Sequence, residues 1–225
     1  MFRKSHFTVL AAGAAVAGLS LMSVGPVSAN MITNGDFSAN AAAYTAFPGY
    51  SVSPNPTDPT GWTASAPSNA GVNGLDTGFY ATQGAPFAPT SMAGVTDFAF
   101  IQSGILIGAN VSVNAGQSYQ LSYEAAGRAA TSGNGLQTII YNDVANATYA
   151  TQTPAITDAA FSPFTWDFTA PSDLINIVFA NTGGTPDVTD VSLQPTPVPE
   201  PAALGLLVIG CMVASLIRRK PKAQG

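Results

Sequence analysis

One histidine and one cysteine occur in the 225 residues, and neither lies in the central part of the chain: His6 is near the start and Cys211 near the end. Lysine is also missing from residues 30–197, where the only base is Arg128. These absences exclude from that stretch a Ser-His-Asp triad, a cysteine nucleophile, a Schiff-base lysine, a His- or Cys-ligated zinc and a disulfide. Oxygen chemistry is what remains. It takes the form of a hard-cation site built from carboxylates and carbonyls, or of a carboxylate pair of the glycosidase kind.

Positive charge is as scarce as sulfur. Between residues 30 and 197 eleven acids stand against the single base, a net charge of −10, which the whole-chain value of −5 conceals because the other six bases lie at the two ends. Nucleic acid and anionic lipid both call for clustered Lys and Arg and would be repelled. Divalent cations and neutral glycans suit such a body better. Arg128 reads first as an internal ion-pair partner for one of the acids, and second as a bidentate clamp for the carboxylate of an acidic sugar.

The two ends read as addresses. Arg3, Lys4 and His6 precede an apolar run from Phe7 to Met22, and Val27-Ser28-Ala29 supplies small residues before Asn30. This predicts a signal peptide over residues 1–29, export by the Sec route, and cleavage between Ala29 and Asn30. At the other end Val198-Pro199-Glu200-Pro201 leads into an apolar run from Ala202 to Ile217 that stops at Arg218-Arg219-Lys220. The prolines bar helix and sheet, the apolar run predicts a single transmembrane helix over 202–217, and the basic cluster stays cytoplasmic. The run is shorter than the ~20 residues of a permanent span, which suits an anchor that is removed better than an ordinary tail anchor.

This tail resembles the PEP-CTERM sorting signal of Gram-negative bacteria, here residues 199–222. The resemblance implies a partner, exosortase, a membrane-embedded cysteine transpeptidase that would cut near Pro199, Glu200 and Pro201. It also implies a route: anchorage in the inner membrane first, then release to the cell surface or to an exopolysaccharide matrix.

Between the two ends, residues 30–193 are long enough for one well-buried domain and short for two. The Pro-rich stretch Ser53–Pro59 is predicted as loop, and residues 63–95 as mostly turns with a short strand near Phe79-Tyr80. From Asp97 onward the strand signal strengthens. Phe98–Gln102 and Ile105–Ile107 are short apolar runs. Tyr119, Leu121 and Tyr123 alternate with Gln120, Ser122 and Glu124, and Phe164, Trp166 and Phe168 alternate with Thr165, Asp167 and Thr169, the period of two of a half-buried strand. Leu136–Tyr141 and Thr148–Thr151 read as a pair around an Asn-Asp turn. Leu174–Phe179 and Val188–Leu193 close the set, separated by residues 181–186. Ala39–Ala43 and Glu124–Ala130 are Ala-rich enough for a turn of helix. The fold class is therefore all-β, a β-sandwich, and residues 194–198 read as a Pro-rich linker.

Several landmarks follow the order found in galactose-binding-like jelly rolls, a superfamily that includes many carbohydrate-binding modules. They are Asn34-Gly35-Asp36-Phe37, Gly61-Trp62, Gly116-Gln117-Ser118-Tyr119 with Leu121-Ser122-Tyr123, Phe168-Thr169-Ala170 and Asp190-Val191-Ser192-Leu193. The resemblance implies a jelly-roll body whose first and last strands meet and hold a structural calcium, with Asp36 and Asp190 at the matching positions. Ser38 departs from the family pattern, which has an acid there.

Sugar recognition needs flat aromatic faces and a few amide or carboxylate groups. Tyr44, Tyr50, Phe79, Tyr80 and Phe87 lie in loop-like stretches and are the candidate stacking residues. Gln120 and Glu124, on the polar face of their strand, are the candidate polar contacts. Trp62 and Trp166 read as core. The resulting expectation is a non-catalytic surface or matrix protein that binds exopolysaccharide or is displayed within it. Two alternatives are a glycan-processing enzyme using Glu124 with a nearby Asp such as Asp167 as acid and base, and an adhesin that meets a basic protein surface.

Overall fold

The computed structural model describes residues 29–39, 50–52, 59–65, 70–74, 88–108, 110–129 and 131–197. Among the described residues twelve strands run in chain order: β1 (Tyr50–Val52), β2 (Trp62–Ala64), β3 (Ala70–Gly74), β4 (Asp97–Ile101), β5 (Ile105–Gly108), β6 (Val111–Ser112), β7 (Ser118–Gly127), β8 (Gly135–Asn142), β9 (Ala147–Gln152), β10 (Ser162–Thr169), β11 (Leu174–Gly183) and β12 (Pro186–Pro195). They form two antiparallel sheets. The first has the order β1-β3-β4-β12-β7-β10, and the second has the order β2-β5-β11-β8-β9, with β6 also paired to β11.

Alternation decides which side chains meet between the sheets. Tyr119, Leu121, Tyr123 and Ala125 on β7 face inward, as do Val188, Val191 and Leu193 on β12. From the second sheet Leu136 and Ile140 on β8, and Ile175, Ile177 and Phe179 on β11, meet them. Phe179 lies at the centre, its ring 5.2 Å from Tyr123 and 5.9 Å from Trp62. Tyr123 keeps its hydroxyl satisfied in this apolar layer by accepting a hydrogen bond from the buried Thr138 at 2.8 Å.

A second, smaller core lies outside the first sheet. Phe98 and Phe100 on β4 point away from the main core, and Val95, with Ala88, Met92 and Phe161 against it, packs over them. Backbone bonds from Thr90 to Asp158 and from Ser91 to Ala159 hold this cover down. The covered half of the outward face contains Asp187, which is buried and has no hydrogen-bond partner on either carboxylate oxygen among the described residues.

Several strands depart from the sequence reading. β2 and β3 lie in a stretch expected to be mostly turns, because Ala70-Gly71-Val72-Asn73-Gly74 carries almost no side-chain signal although all five residues are buried. Tyr50 belongs to β1, opposite Asn73, rather than to a loop. Glu124 to Gly127 continue β7, since Ala125 and Ala126 are small enough to pack under neighbouring strands. Only Gly184, at φ 59°, and Thr185 separate β11 from β12, and β12 runs through Gln194 and Pro195, the start of the segment read as linker. Phe79 and Tyr80 lie outside the described residues, as do the residues before Ala29 that were read as a signal peptide and the segment from Val198 onward.

Candidate binding site where the turn at residues 34–37 meets the last strand

The turn Asn34-Gly35-Asp36-Phe37 is clasped from several sides. The Asn34 side-chain amide donates to the Thr60 carbonyl at 3.0 Å and its carbonyl oxygen accepts from the Ala39 amide at 3.0 Å. Trp62 donates its indole N–H to the Asn34 backbone carbonyl at 3.2 Å, and its ring lies 5.4 Å from Phe37. Phe37 is buried at φ 58°, a left-handed conformation costly for a bulky residue and held here by the packing of its ring. Anchoring Phe37 inward leaves Asp36 facing out. The two sequence landmarks containing Asn34 and Trp62 thus form one structural clamp.

Gly35 lies against the last strand. The Val191 amide donates to the Gly35 carbonyl at 3.0 Å, and a Cβ on Gly35 would come 2.0 Å from the Val191 oxygen, so only glycine permits the approach. Beside this contact β12 shifts register between Thr189 and Ser192, and Asp190 adopts φ 50° within the bulge. A bulge re-aims its side chains. Here Asp36 and Asp190 both line a recess of about 250 Å³ together with Ser38, Thr96, Asp97 and Thr189. They also line an adjoining, more open recess of about 400 Å³ with Asn30, Asn34 and Ser192. Asn30 ties the ends together: its side-chain amide donates to the Val191 carbonyl, and its side-chain oxygen accepts from the Ile32 and Leu193 amides.

The electrostatics follow from this crowding. Burial raises the pKa of Asp190, and the neighbouring charge of Asp36 raises it further. Glu124, paired across β7 and β12 with Thr189, is raised for the same two reasons, burial first and then the charge of Asp190. Asp187, two residues before Thr189 on the same face, is pushed well above the ordinary carboxylate range by burial, and the nearby charge of Arg128 pulls the other way. Arg128 is thus the positive charge that acts on buried Asp187.

A hard cation is the cofactor implied by the family resemblance, and the donor set fits it in part. Two carboxylates that repel each other, surrounded by hydroxyls and carbonyls, match oxygen coordination of calcium. Ser38, however, donates its hydroxyl to both Asp36 oxygens at 3.0 Å and its amide to one of them at 3.2 Å, occupying lone pairs that a metal would use. Among the described residues no three acidic, His or Cys side chains stand together as a metal cluster. The fit is to a weakly held ion.

Of the residues expected to contact a ligand, Glu124 lies on the outward face of β7, on the strand beside Asp190, and Gln120 lies further along that face, donating to Asp167 at 3.0 Å. Tyr44, Phe79, Tyr80 and Phe87 lie outside the described residues, as do Pro199, Glu200, Pro201, Arg218, Arg219 and Lys220. Ser38, Thr96, Asp97 and Thr189 were not among the expected contacts. The turn at Met92–Val95 that leads into β4 brings in Thr96 and Asp97, the bulge in β12 brings in Thr189, and Ser38 follows the turn at residues 34–37; none leaves a residue pattern of its own. Asp167 and Glu124 do not converge: Asp167 is opposite Gln120 and Glu124 is opposite Pro163, four positions away along β10, or about 14 Å at strand rise.

Neither a family model nor a curated protein matches the sequence. Among solved structures the chain is similar to a cyclase from Fischerella sp. TAU, with a TM-score of 0.52 at 15% identity over 75% of this chain and 96% of the cyclase. It is also similar to a family 16 carbohydrate-binding module, with a TM-score of 0.43 at 14% identity over 73% of this chain and 99% of the module. A third is a carbohydrate-binding module from Cellvibrio mixtus lichenase 5A in complex with cellotriose, with a TM-score of 0.37 at 10% identity over 49% of this chain and 86% of the module. At 15% identity the likeness to the cyclase is one of fold alone, an all-β sandwich of two antiparallel sheets.

Proposed function

We propose that the protein is exported by the Sec route, sorted through its C-terminal segment by exosortase, and released to the cell surface or extracellular matrix, where its sandwich, a jelly roll in this reading, binds exopolysaccharide without catalysis. The observation that carries the binding half is the lining of the recess at Asp36 and Asp190: three carboxylates and three hydroxyls, with no basic side chain among the lining residues. A neutral polyol supplies the hydroxyl donors that such an acceptor-rich surface needs, whereas an acidic glycan would be repelled. A weakly bound calcium between Asp36 and Asp190 would offset their repulsion and could itself take sugar hydroxyls as ligands.

The strand register speaks against hydrolysis by the pair Glu124 and Asp167. A separation of about 14 Å between Glu124 and Asp167 exceeds the ≈ 6.5–9.5 Å of inverting glycosidases and the ≈ 5–5.5 Å of retaining ones. The decisive experiment passes the exported body, residues 30–197, over immobilised neutral and acidic polysaccharides with calcium or with chelator. Saturable retention on a neutral polysaccharide, weakened by Asp190→Asn and without release of reducing ends, is the expected result. Sugar release that disappears in Glu124→Gln would replace binding by catalysis. Full-length protein that keeps its C-terminal segment in cells with active exosortase would refute the sorting half.

A further inference from the structure

The outward side of the second sheet departs from the solvated face normal for an antiparallel sandwich. On β11, Ile175, Ile177 and Phe179 face the core, so the intervening Asn176, Val178 and Ala180 face out, yet their exposures are only 7%, 5% and 9%. They form the sunken floor of a trough. Ile105 on β5 stands on one side and Ile139 and Tyr141 on β8 on the other, with Val178 opposite Ile139 and Asn176 opposite Tyr141. The recess measures about 420 Å³, within the size range of small-molecule sites.

Polar groups gather at one end, and they are acceptors. Asn176 donates its amide to Asp143 at 3.1 Å, while its own side-chain oxygen is buried without a hydrogen-bond partner. The Tyr141 hydroxyl donates to the Asn146 side chain and so presents lone pairs to the recess. Thr148, opposite Tyr141 on β9, completes the rim. No base offsets Asp143: Arg128, the only one in residues 30–197, acts on Asp187 at the other sheet.

We propose that this trough binds a small organic amine, with its protonated nitrogen against Asp143 and its apolar body over Val178 and Ile139. The charge of Asp143 and the surplus of acceptors select a cationic donor, and the aliphatic walls select an apolar body over a sugar, whose hydroxyls they would leave unpaired. A second copy of the chain is disfavoured as the occupant because each body carries a net charge of −10. This site is separate from the recess at Asp36 and Asp190, and its test is independent of glycan binding.

The test uses the full chain and 2-phenylethylamine, with 2-phenylethanol and phenylacetate as neutral and anionic counterparts, followed by amide resonances in nitrogen-15 NMR. The amine is expected to move the amides of residues 139–143 and 176–178 saturably, the alcohol to do so more weakly, and phenylacetate not at all. Asp143→Asn, at a partly exposed position, should weaken the amine roughly tenfold and leave the alcohol unchanged. Val178→Trp should abolish both responses while other resonances stay in place. The proposal is overturned if these amides do not respond to the amine, if Asp143→Asn leaves its affinity unchanged, or if they shift on dilution of the protein alone, which would mean that a second copy covers the trough.

Discussion

The outward faces of the two sheets are built on opposite plans. On the first sheet Phe98 and Phe100 point outward but are covered by the chain around Val95 and by Phe161, and beyond this cover the face is polar, with Gln120, Ser122 and Glu124. On the second sheet no comparable cover lies over the apolar residues among the described residues, and Ile105, Ile139 and Val178 line an open trough. The same alternation therefore serves two ends. Apolar outward residues on the first sheet secure a segment that walls the acidic recess, while those on the second shape a recess themselves.

Removing side chains tests that contrast most strongly. Phe100→Ala should cost about 3–5 kcal/mol, as truncation of a buried aromatic does, while Ile139→Ala at the half-buried trough should cost about 1 kcal/mol; urea denaturation measures both. Equal losses would mean that the trough is as covered as the first face. Next in size is the pH dependence that arises beneath the cover. Because the carboxyl of Asp187 is raised in the folded state, folding takes up a proton: its stabilising effect is complete in acid and is lost as pH climbs from the ordinary aspartate range through the raised value. Glu124 and Asp190 add to this in the same direction. Denaturation between about pH 4 and pH 8 should therefore show stability falling as pH rises, with Asp187→Asn flattening most of the slope.

Calcium should act on the first face alone. At an ion concentration about ten times a millimolar Kd the stabilisation is roughly 1.4 kcal/mol, visible as a rise in Tm and absent in Asp36→Asn and Asp190→Asn. An unaltered Tm in the native protein would leave Ser38 as the partner of Asp36 in place of a metal. The smallest effect belongs to Gln120→Ala, which removes an exposed hydrogen bond to Asp167 and should change stability by less than about 0.5 kcal/mol. If polysaccharide lies across this face, the same change weakens retention, which separates a binding contact from a merely solvated one.

Legibility in the sequence followed side-chain size. β7 and β10 were readable because Tyr119, Leu121 and Tyr123, and Phe164, Trp166 and Phe168, announce their period with bulky groups. β3 was not, since Ala70, Gly71 and Gly74 are buried by virtue of being small. Asp36 and Asp190 were placed together through the order of landmarks along the chain, and the geometry behind this is the contact of Gly35 with Val191. Asp97 and Thr189 escaped because a bulge and a loop bring them to the recess. The trough on the second sheet escaped for the opposite reason: Leu174–Phe179 is apolar apart from Asn176, and nothing in the letters tells which of its residues are sunk on the outer side.

The backbone bond from the Thr196 amide to the Ser118 carbonyl at 2.9 Å would set a mechanical limit on the proposed sorting. Only Pro197 and Val198 lie between that tied point and Pro199, a reach of at most about 10 Å in extended chain. An enzyme that cuts there must work directly under the folded body, with almost no slack to draw on. Under the proposed sorting, a sandwich completed before cleavage would crowd the processing enzyme, and the timing of folding relative to cleavage would then set how quickly the body is released.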